Sequence, residues 1–509
     1  MKIKTWSHLR RARQITQILA FALYIYLLFA ALQRRAAFAL ADLFFRLDPL
    51  AALGAMLADR AWIPRLGLAL VTLGLTLALG RVWCGWLCPL GTLLEWLPSR
   101  SSPRPASLSP RWRTIKNLLL LLILVAALLG NLSLLIFDPL ALFTRTMTTA
   151  ILPALNHAVT GVERAMYDVP ALQPAVDWAE RSLRGPVLPV EQLVFGQNVL
   201  IAALFAGVLA LNALADRFWC RYLCPLGALL GLLSKVSLLR PLIAPACNRC
   251  AQCVDACRVD AIDYDAQSGY EIVAAECTVC LDCLTACQRS EINFRLNWRP
   301  DPWRETDPTR RQALAALAAS ATGVVVLRTG AQAKHPHPQL IRPPGAQDES
   351  AFLSRCLRCS QCMKVCPTSG LQPVLFEAGL EGLWTPRLAS RLGYCDYGCN
   401  ACGQVCPSGA IPPLDLARKR LTVIGMAVID RDRCWPWAMG MPCIVCEEMC
   451  PLPEKAIRLE DATVPDAQGA PVVVQRPYVV QDLCIGCGIC EHQCPVEGEA
   501  AIGVYRWEV

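Results

Sequence analysis

The chain has 509 residues, a net charge of +8, 54% hydrophobic and 18% charged residues, and 28 cysteines. That balance excludes a disordered chain, which needs low hydrophobicity and high charge. So much cysteine in a long apolar chain also argues against a disulfide scaffold, usually short and secreted, and favours metal–thiolate chemistry.

A membrane-spanning helix needs about 20 apolar residues. Residues 15–32, 117–137 and 192–215 are uncharged runs of that kind, and 66–80 is a shorter one between Arg65 and Arg81. Four membrane helices are therefore expected, in a transmembrane domain of residues 1–240. Arginines cluster beside these runs, as membrane-flanking charge does, so nucleic acid is not an expected partner; the lipid bilayer is. Lys2, Lys4, Arg10, Arg11 and Arg13 precede the first run, and Arg100, Arg104, Arg111, Arg113 and Lys116 follow the second. Both segments are expected on the cytoplasmic side. The stretch 138–191, poorer in positive charge, reads as a loop on the far side.

The same two landmarks occur twice. Asp48-Pro49 follows the first run and Asp138-Pro139 the third; both aspartates read as helix N-caps, with proline at the first helical position, and a proton-handling role is the alternative. Cys84-x3-Cys88-Pro89 follows the second run and Cys220-x3-Cys224-Pro225 the fourth. Such repeats often place a site at their interface. Cys84, Cys88, Cys220 and Cys224 are the candidate catalytic residues, as a redox dithiol relay or an additional metal site; buried unreactive cysteines are the plainer alternative. Trp83, Trp86, Trp96, Trp219 and Tyr222 read as an interfacial belt, with a quinone-framing role as the alternative. Glu95 and Asp216 read as surface carboxylates, or as acceptors of quinol protons.

The other 24 cysteines form six groups of four. Two lie in residues 241–300: Cys247, Cys250, Cys253, Cys257 and Cys277, Cys280, Cys283, Cys287. Four lie in residues 348–509: Cys356, Cys359, Cys362, Cys366; Cys395, Cys399, Cys402, Cys406; Cys434, Cys443, Cys446, Cys450; and Cys484, Cys487, Cys490, Cys494. Four groups follow the ferredoxin spacing C-x2-C-x2-C-x3-C, and two have a stretched first gap. Three thiolates from one tight loop take three corners of a cubane, and the fourth reaches the neighbouring one. Six [4Fe–4S] clusters in three pairs are expected, with adjacent and nested pairing both open among the last four groups. There is no C-x-x-C-H, G-x-G-x-x-G or P-loop, so haem, nucleotide and flavin sites have no sequence support. Between the two cysteine regions, residues 301–347 hold Arg310-Arg311, an apolar run and a proline-rich linker.

On these motifs residues 1–300 resemble the NapH and MauN membrane ferredoxin-type proteins, which pair four membrane helices and two C-x3-C-P motifs with two cytoplasmic [4Fe–4S] groups. Residues 348–509 resemble NapG and MauM, periplasmic four-cluster ferredoxin-type proteins. Thr309-Arg310-Arg311 before an apolar run is similar to the twin-arginine signal of the latter; here it would become a fifth membrane helix, with Ala331-Gln-Ala333 as a cleavage site. The implied fold is a membrane α-helical bundle of four to five helices followed by α+β bacterial-ferredoxin-like domains. The implied function is a quinol dehydrogenase of the bacterial inner membrane. It would oxidise the quinol pool and pass electrons through clusters to a periplasmic c-type cytochrome or reductase. Residues 241–300 would be cytoplasmic and 334–509 periplasmic. The alternative is a polyferredoxin maturation factor or metal reductase that supports assembly of a respiratory enzyme.

Overall fold

The computed structural model describes residues 2–32, 40–97, 109–184, 188–189, 192–265, 269–296, 301, 307–329, 337–465 and 471–506. Arg100, Arg104 and the Ala331–Ala333 cleavage motif lie outside the described residues, as do the side chains of Lys2 and Lys4. The chain forms two compact units, one from residues 1–29, 40–146 and 199–326, the other from 30–39, 147–198 and 327–509. The expected boundary inside 301–347 thus falls near residue 326, while 147–198 packs with the C-terminal unit rather than with the membrane domain.

In the first unit the helix Lys2–Leu32 runs unbroken through the first apolar run. Its segment Ser7–Leu32 is, among the described residues, the single helix long and apolar enough to cross a bilayer. The runs 66–80 and 192–215 fold as the shorter apolar helices Pro64–Leu79 and Asn198–Ala213, and Pro49–Asp59 and Pro225–Ser234 are two more of that kind. The run 117–137 is not one helix. Thr114–Leu128 ends before Gly130, which has φ +79°, and Ser133–Phe137 follows as a 3-10 turn. Asn131 Oδ1 accepts the Ser133 N–H and holds that break. Asp48 and Asp138 cap their helices as expected: Asp48 accepts from Leu50 and Ala51, and Asp138 from Ala141. The two repeat-related carboxyls are buried and close enough to act on one another.

A four-strand ferredoxin module completes this unit. Strand β1 (Leu239–Ile243) pairs antiparallel with β4 (Ile292–Leu296), and β2 (Ile262–Asp265) with β3 (Gly269–Ile272). Each cysteine run sits between an outer and an inner strand. Ile262, Val279, Leu281, Leu284 and Ile292 form its core, with Val82 and Trp86 packed against it.

The second unit repeats that topology. Strand β5 (Leu371–Pro373) pairs with β6 (Pro386–Leu388) as a hairpin between two cysteine runs. Strand β7 (Met426–Ile429) pairs with β10 (Ile502–Tyr505), and β8 (Ile457–Pro465) with β9 (Pro471–Val479). The expected far-side loop 138–191 is largely helical, as Pro139–Thr146, Leu152–Tyr167 and Gln173–Leu183. Its continuation supplies Leu193 and Phe195 to a core with Phe352, Met363 and Leu388.

Candidate iron–sulfur centres

The local backbone explains the tight spacing. In the four compact runs the residues on either side of the second cysteine have positive φ: Arg249 and Ala251, Val279 and Leu281, Arg358 and Ser360, Gly486 and Gly488. Two left-handed residues curl the loop round one point, and a short helix then carries the third cysteine. Left-handed backbone costs a non-glycine residue about 1–2 kcal/mol, so six of these eight positions hold strain at the site. Ala251→Gly is expected to stabilise the ferredoxin module by about 1 kcal/mol, read as a higher denaturation midpoint of the intact chain.

Within each pair of runs the fourth cysteine of one lies close to leading cysteines of the other. The charge of Cys257 acts on Cys277, Cys280 and Cys283, and that of Cys287 on Cys253. Cys406 acts on Cys356, Cys359 and Cys362, while Cys366 acts on Cys395 and Cys402. Cys494 acts on Cys434 and Cys446, and Cys450 on Cys487. Strand topology agrees: the runs beginning at Cys434 and Cys484 lie inside one β7–β10 module, as those at Cys247 and Cys277 lie inside β1–β4. Among the last four groups, the runs that lie beside one another are therefore adjacent in sequence and not nested. The two modules of the second unit touch where the Cys395 N–H donates to the Cys487 carbonyl at 2.8 Å.

All 28 thiols are free of disulfides. Burial, then neighbouring thiols, push the Cys283, Cys362 and Cys490 thiols well above the ordinary thiol range, and Cys253 up to about 11. Such groups lose their protons only when a cation replaces them, which iron does. Among the described residues no three ligand-type side chains gather closely enough to hold a single ion. The C-x2-C-x2-C-x3-C spacing of four of the donor sets is that of [4Fe–4S] ligands. Backbone N–H groups already point at several sulfurs, from Ala261 to Cys257 at 3.2 Å and from Ala427 to Cys484 at 3.4 Å.

The two C-x3-C-P motifs adopt one geometry twice. Trp83–Leu87 and Trp219–Leu223 are single π-helical turns, a form found often at functional sites. Cys88 and Cys224 then cap the next helices, their sulfurs accepting from Gly91 at 3.4 Å and Gly227 at 3.2 Å. The four thiols act on one another electrostatically. Trp83 and Trp219 are 4% and 5% exposed and Tyr222 1%, so they are core and not an interfacial belt; Trp96, at 47%, remains exposed.

Charged residues that motif reading passed over surround this site. Arg13 pairs with Glu95 through two bonds of 3.0 and 3.1 Å, and Gln17 adds a third at 2.8 Å. Burial works against the Glu95 charge, but Arg13 and Arg217 outweigh it and hold the carboxyl below its usual range. Glu95 is thus an internal ion-pair member rather than a solvated surface group. Lys116 meets Glu276 at 2.5 Å, and Arg81 approaches Glu276 at 3.5 Å. Lys116→Met leaves that buried carboxylate without its nearest cation. The expected loss is about 3 kcal/mol, measured by denaturant unfolding.

A family model described as a 4Fe-4S binding domain matches residues 62–104 and 197–243, and a second of the same description matches 477–498. The chain is 35% identical over 211 residues to the methylamine utilization ferredoxin-type protein MauM of Methylorubrum extorquens, covering 40% of this chain and 91% of that protein. It is 37% identical over 167 residues to the ferredoxin-type protein NapG of Escherichia coli, covering 31% and 68%. The chain belongs to this family of ferredoxin-type proteins. NapF of Escherichia coli is similar at 29% identity over 161 residues, covering 32% of this chain and 84% of that protein. No solved structure matches. The ferredoxin-type chain is accordingly an iron–sulfur electron-transfer protein, with [4Fe–4S] clusters on cysteine runs of the kind described.

Proposed function

We propose that the chain is a multi-pass quinol dehydrogenase of the bacterial inner membrane. It carries six [4Fe–4S] clusters on the 24 cysteines of the six runs and delivers electrons to a periplasmic c-type cytochrome or reductase. The observation that carries this reading is a cleft of about 610 Å³ in the first unit. Leu94, Glu95, Asp216 and Arg217 line one part of it, and Asp282 and Thr285, on the helix holding Cys283, line another. A quinol head group seated there lies between the C-x3-C-P motifs and the first ferredoxin module. Quinol releases two electrons and two protons. Bound clusters supply one-electron carriers, Asp216 is placed to take a proton, and the ionised Glu95 orients the hydroxyl.

Exposed apolar faces support the membrane placement. Ile15, Ile18 and Leu19 on the first helix, Leu70 and Val71, Val199 and Leu204, and Leu314 and Val326 are all open to the surroundings. Large exposed patches of this kind need an apolar partner, and here the partner is the bilayer, crossed by a NapH/MauN-like portion of four to five helices. The side assignment is also consistent. The segment 147–198, on the far side by the charge rule, packs with 327–509: Gly196 donates to Gln372 at 2.8 Å and Gln372 to the Val194 carbonyl at 2.8 Å. The basic segment 109–116 packs with the module 241–300, Arg113 pairing with Asp260 at 2.7 Å.

The test is EPR on membranes containing the protein, with a quinol analogue as sole reductant and dithionite as control. Signals of reduced [4Fe–4S] centres under quinol are expected. Centres reducible by dithionite but never by quinol would overturn the reading and favour the maturation or metal-reductase role.

A further inference from the structure

We propose that Cys84, Cys88, Cys220 and Cys224 together ligate one further [4Fe–4S] cluster, shared between the two repeats and neutralised by Arg81 and Arg217. The inference is independent of whether quinol is the donor.

The charge balance points to a buried dianion. Arg81 is 1% exposed and Arg217 2%. Arg81 bonds to the side chain of Cys84, and the charges of Cys84, Cys220 and Cys224 act on one or both guanidiniums. Two buried carboxylates stand nearby, but each already has a closer cation. Glu95 has Arg13 at 3.0 Å against Arg217 at 3.9 Å, and Glu276 has Lys116 at 2.5 Å against Arg81 at 3.5 Å. Counted together, four buried cations face two carboxylates, which leaves two positive charges among these residues. Buried charge persists only when paired. An oxidised cubane carrying four thiolates is a dianion and balances the site, whereas four protonated thiols do not.

The two repeats are also woven together round the sulfurs. Arg217 reaches back to the first motif, its Nη2 donating to the Cys84 carbonyl at 2.9 Å and the Gly91 carbonyl at 3.1 Å. Arg81 reaches forward to the second, so close that a Cβ on Gly227 would lie 2.8 Å from its Nη2. A Cβ on Gly91 would meet Arg217 at the same distance. Glycine in both Cys-Pro-Leu-Gly turns is what lets each guanidinium lie across the other motif. The N–H groups of those same glycines point at Cys88 and Cys224, as amides do at cluster thiolates. The family model for a 4Fe-4S binding domain falls on both motif segments and on none of the six cysteine runs there.

The position gives such a cluster a path. Gly85, between Cys84 and Cys88, packs on Thr278, between Cys277 and Cys280, and Trp86 Nε1 donates to the Val279 carbonyl at 3.0 Å. Arg217 also senses the charge of Cys280. A cluster held by the four cysteines would be joined by this contact to the loop that carries Cys277 and Cys280.

The experiment uses the full chain, purified anaerobically in detergent, with iron, acid-labile sulfide and zinc counted per chain. Cys84→Ser/Cys220→Ser is expected to hold about four fewer iron ions and four fewer sulfides than the parent, with the remaining centres unchanged by EPR. Should that variant not fold, Cys220→Asp retains an anionic ligand; the iron count then stays at the parental level and a new EPR signal appears on reduction. Iron unchanged by the double substitution, one zinc lost in its place, or an EPR spectrum untouched by Cys220→Asp would each overturn the proposal.

Discussion

A chain carrying Cys406→Ala is expected to lose the centre that Cys356, Cys359 and Cys362 begin, and to keep the one formed by the rest of its own run. Cys406 closes in sequence behind Cys395, Cys399 and Cys402, yet its charge bears on the preceding run. The loss is about four iron ions per chain. The decisive measurement is the EPR spectrum of the reduced protein: it should match that of Cys359→Ala and differ from that of Cys399→Ala. A match to Cys399→Ala would mean that each run closes on itself. The same comparison applies to Cys257→Ala against Cys280→Ala in the first unit.

Gly85→Ala should damage both stability and electron flow. A Cβ there would lie 2.1 Å from the Thr278 carbonyl oxygen, and the obstacle is backbone, which cannot swing aside. Overpacking costs about 1–3 kcal/mol, and the expected loss is at the upper end of that range. The motif turn must also lift away from the loop that holds Cys277 and Cys280. The midpoint of denaturant unfolding and the rate at which reductant fills the ferredoxin module are both expected to fall. Gly74→Ala is the control, since nothing lies within 4 Å of its added Cβ; it should leave the rate unchanged. Equal effects from the two substitutions would remove the contact from the electron path.

The cysteine spacing made the ferredoxin modules legible, because three ligands in a seven-residue loop leave the backbone little choice. It left the pairing of the last four runs open, since spacing within a run says nothing of which run lies beside it. That information is in β7 to β10, whose order repeats β1 to β4. Helix lengths were less legible. The apolar run 117–137 hides a stop at Gly130-Asn131, where a left-handed glycine and an Asn131 side-chain bond outweigh uniform hydrophobicity. The segment 138–191 reads as a loop because its helices lack the long uncharged apolar run that marks a span. Arg81 and Arg217 do carry a signal: both motifs read Arg-x-Trp-Cys, so the arginines repeat with the cysteines. Isolated arginines beside apolar runs otherwise read as membrane flanks. Glu95 was misplaced for the same reason, because its partners Arg13 and Gln17 lie far off in the chain.

The backbone bond between Cys395 and Cys487 has a consequence for throughput. Cys362 faces Cys402 across one module and Cys490 faces Cys446 across the other. These contacts link the four ligand sets of the second unit in series, from the run at Cys356 to the run at Cys434. Centres arranged in series do not share the current; each must carry all of it. Their number sets how far an electron is taken, the least favourable hop sets how fast, and one failed interior link disconnects both ends at once.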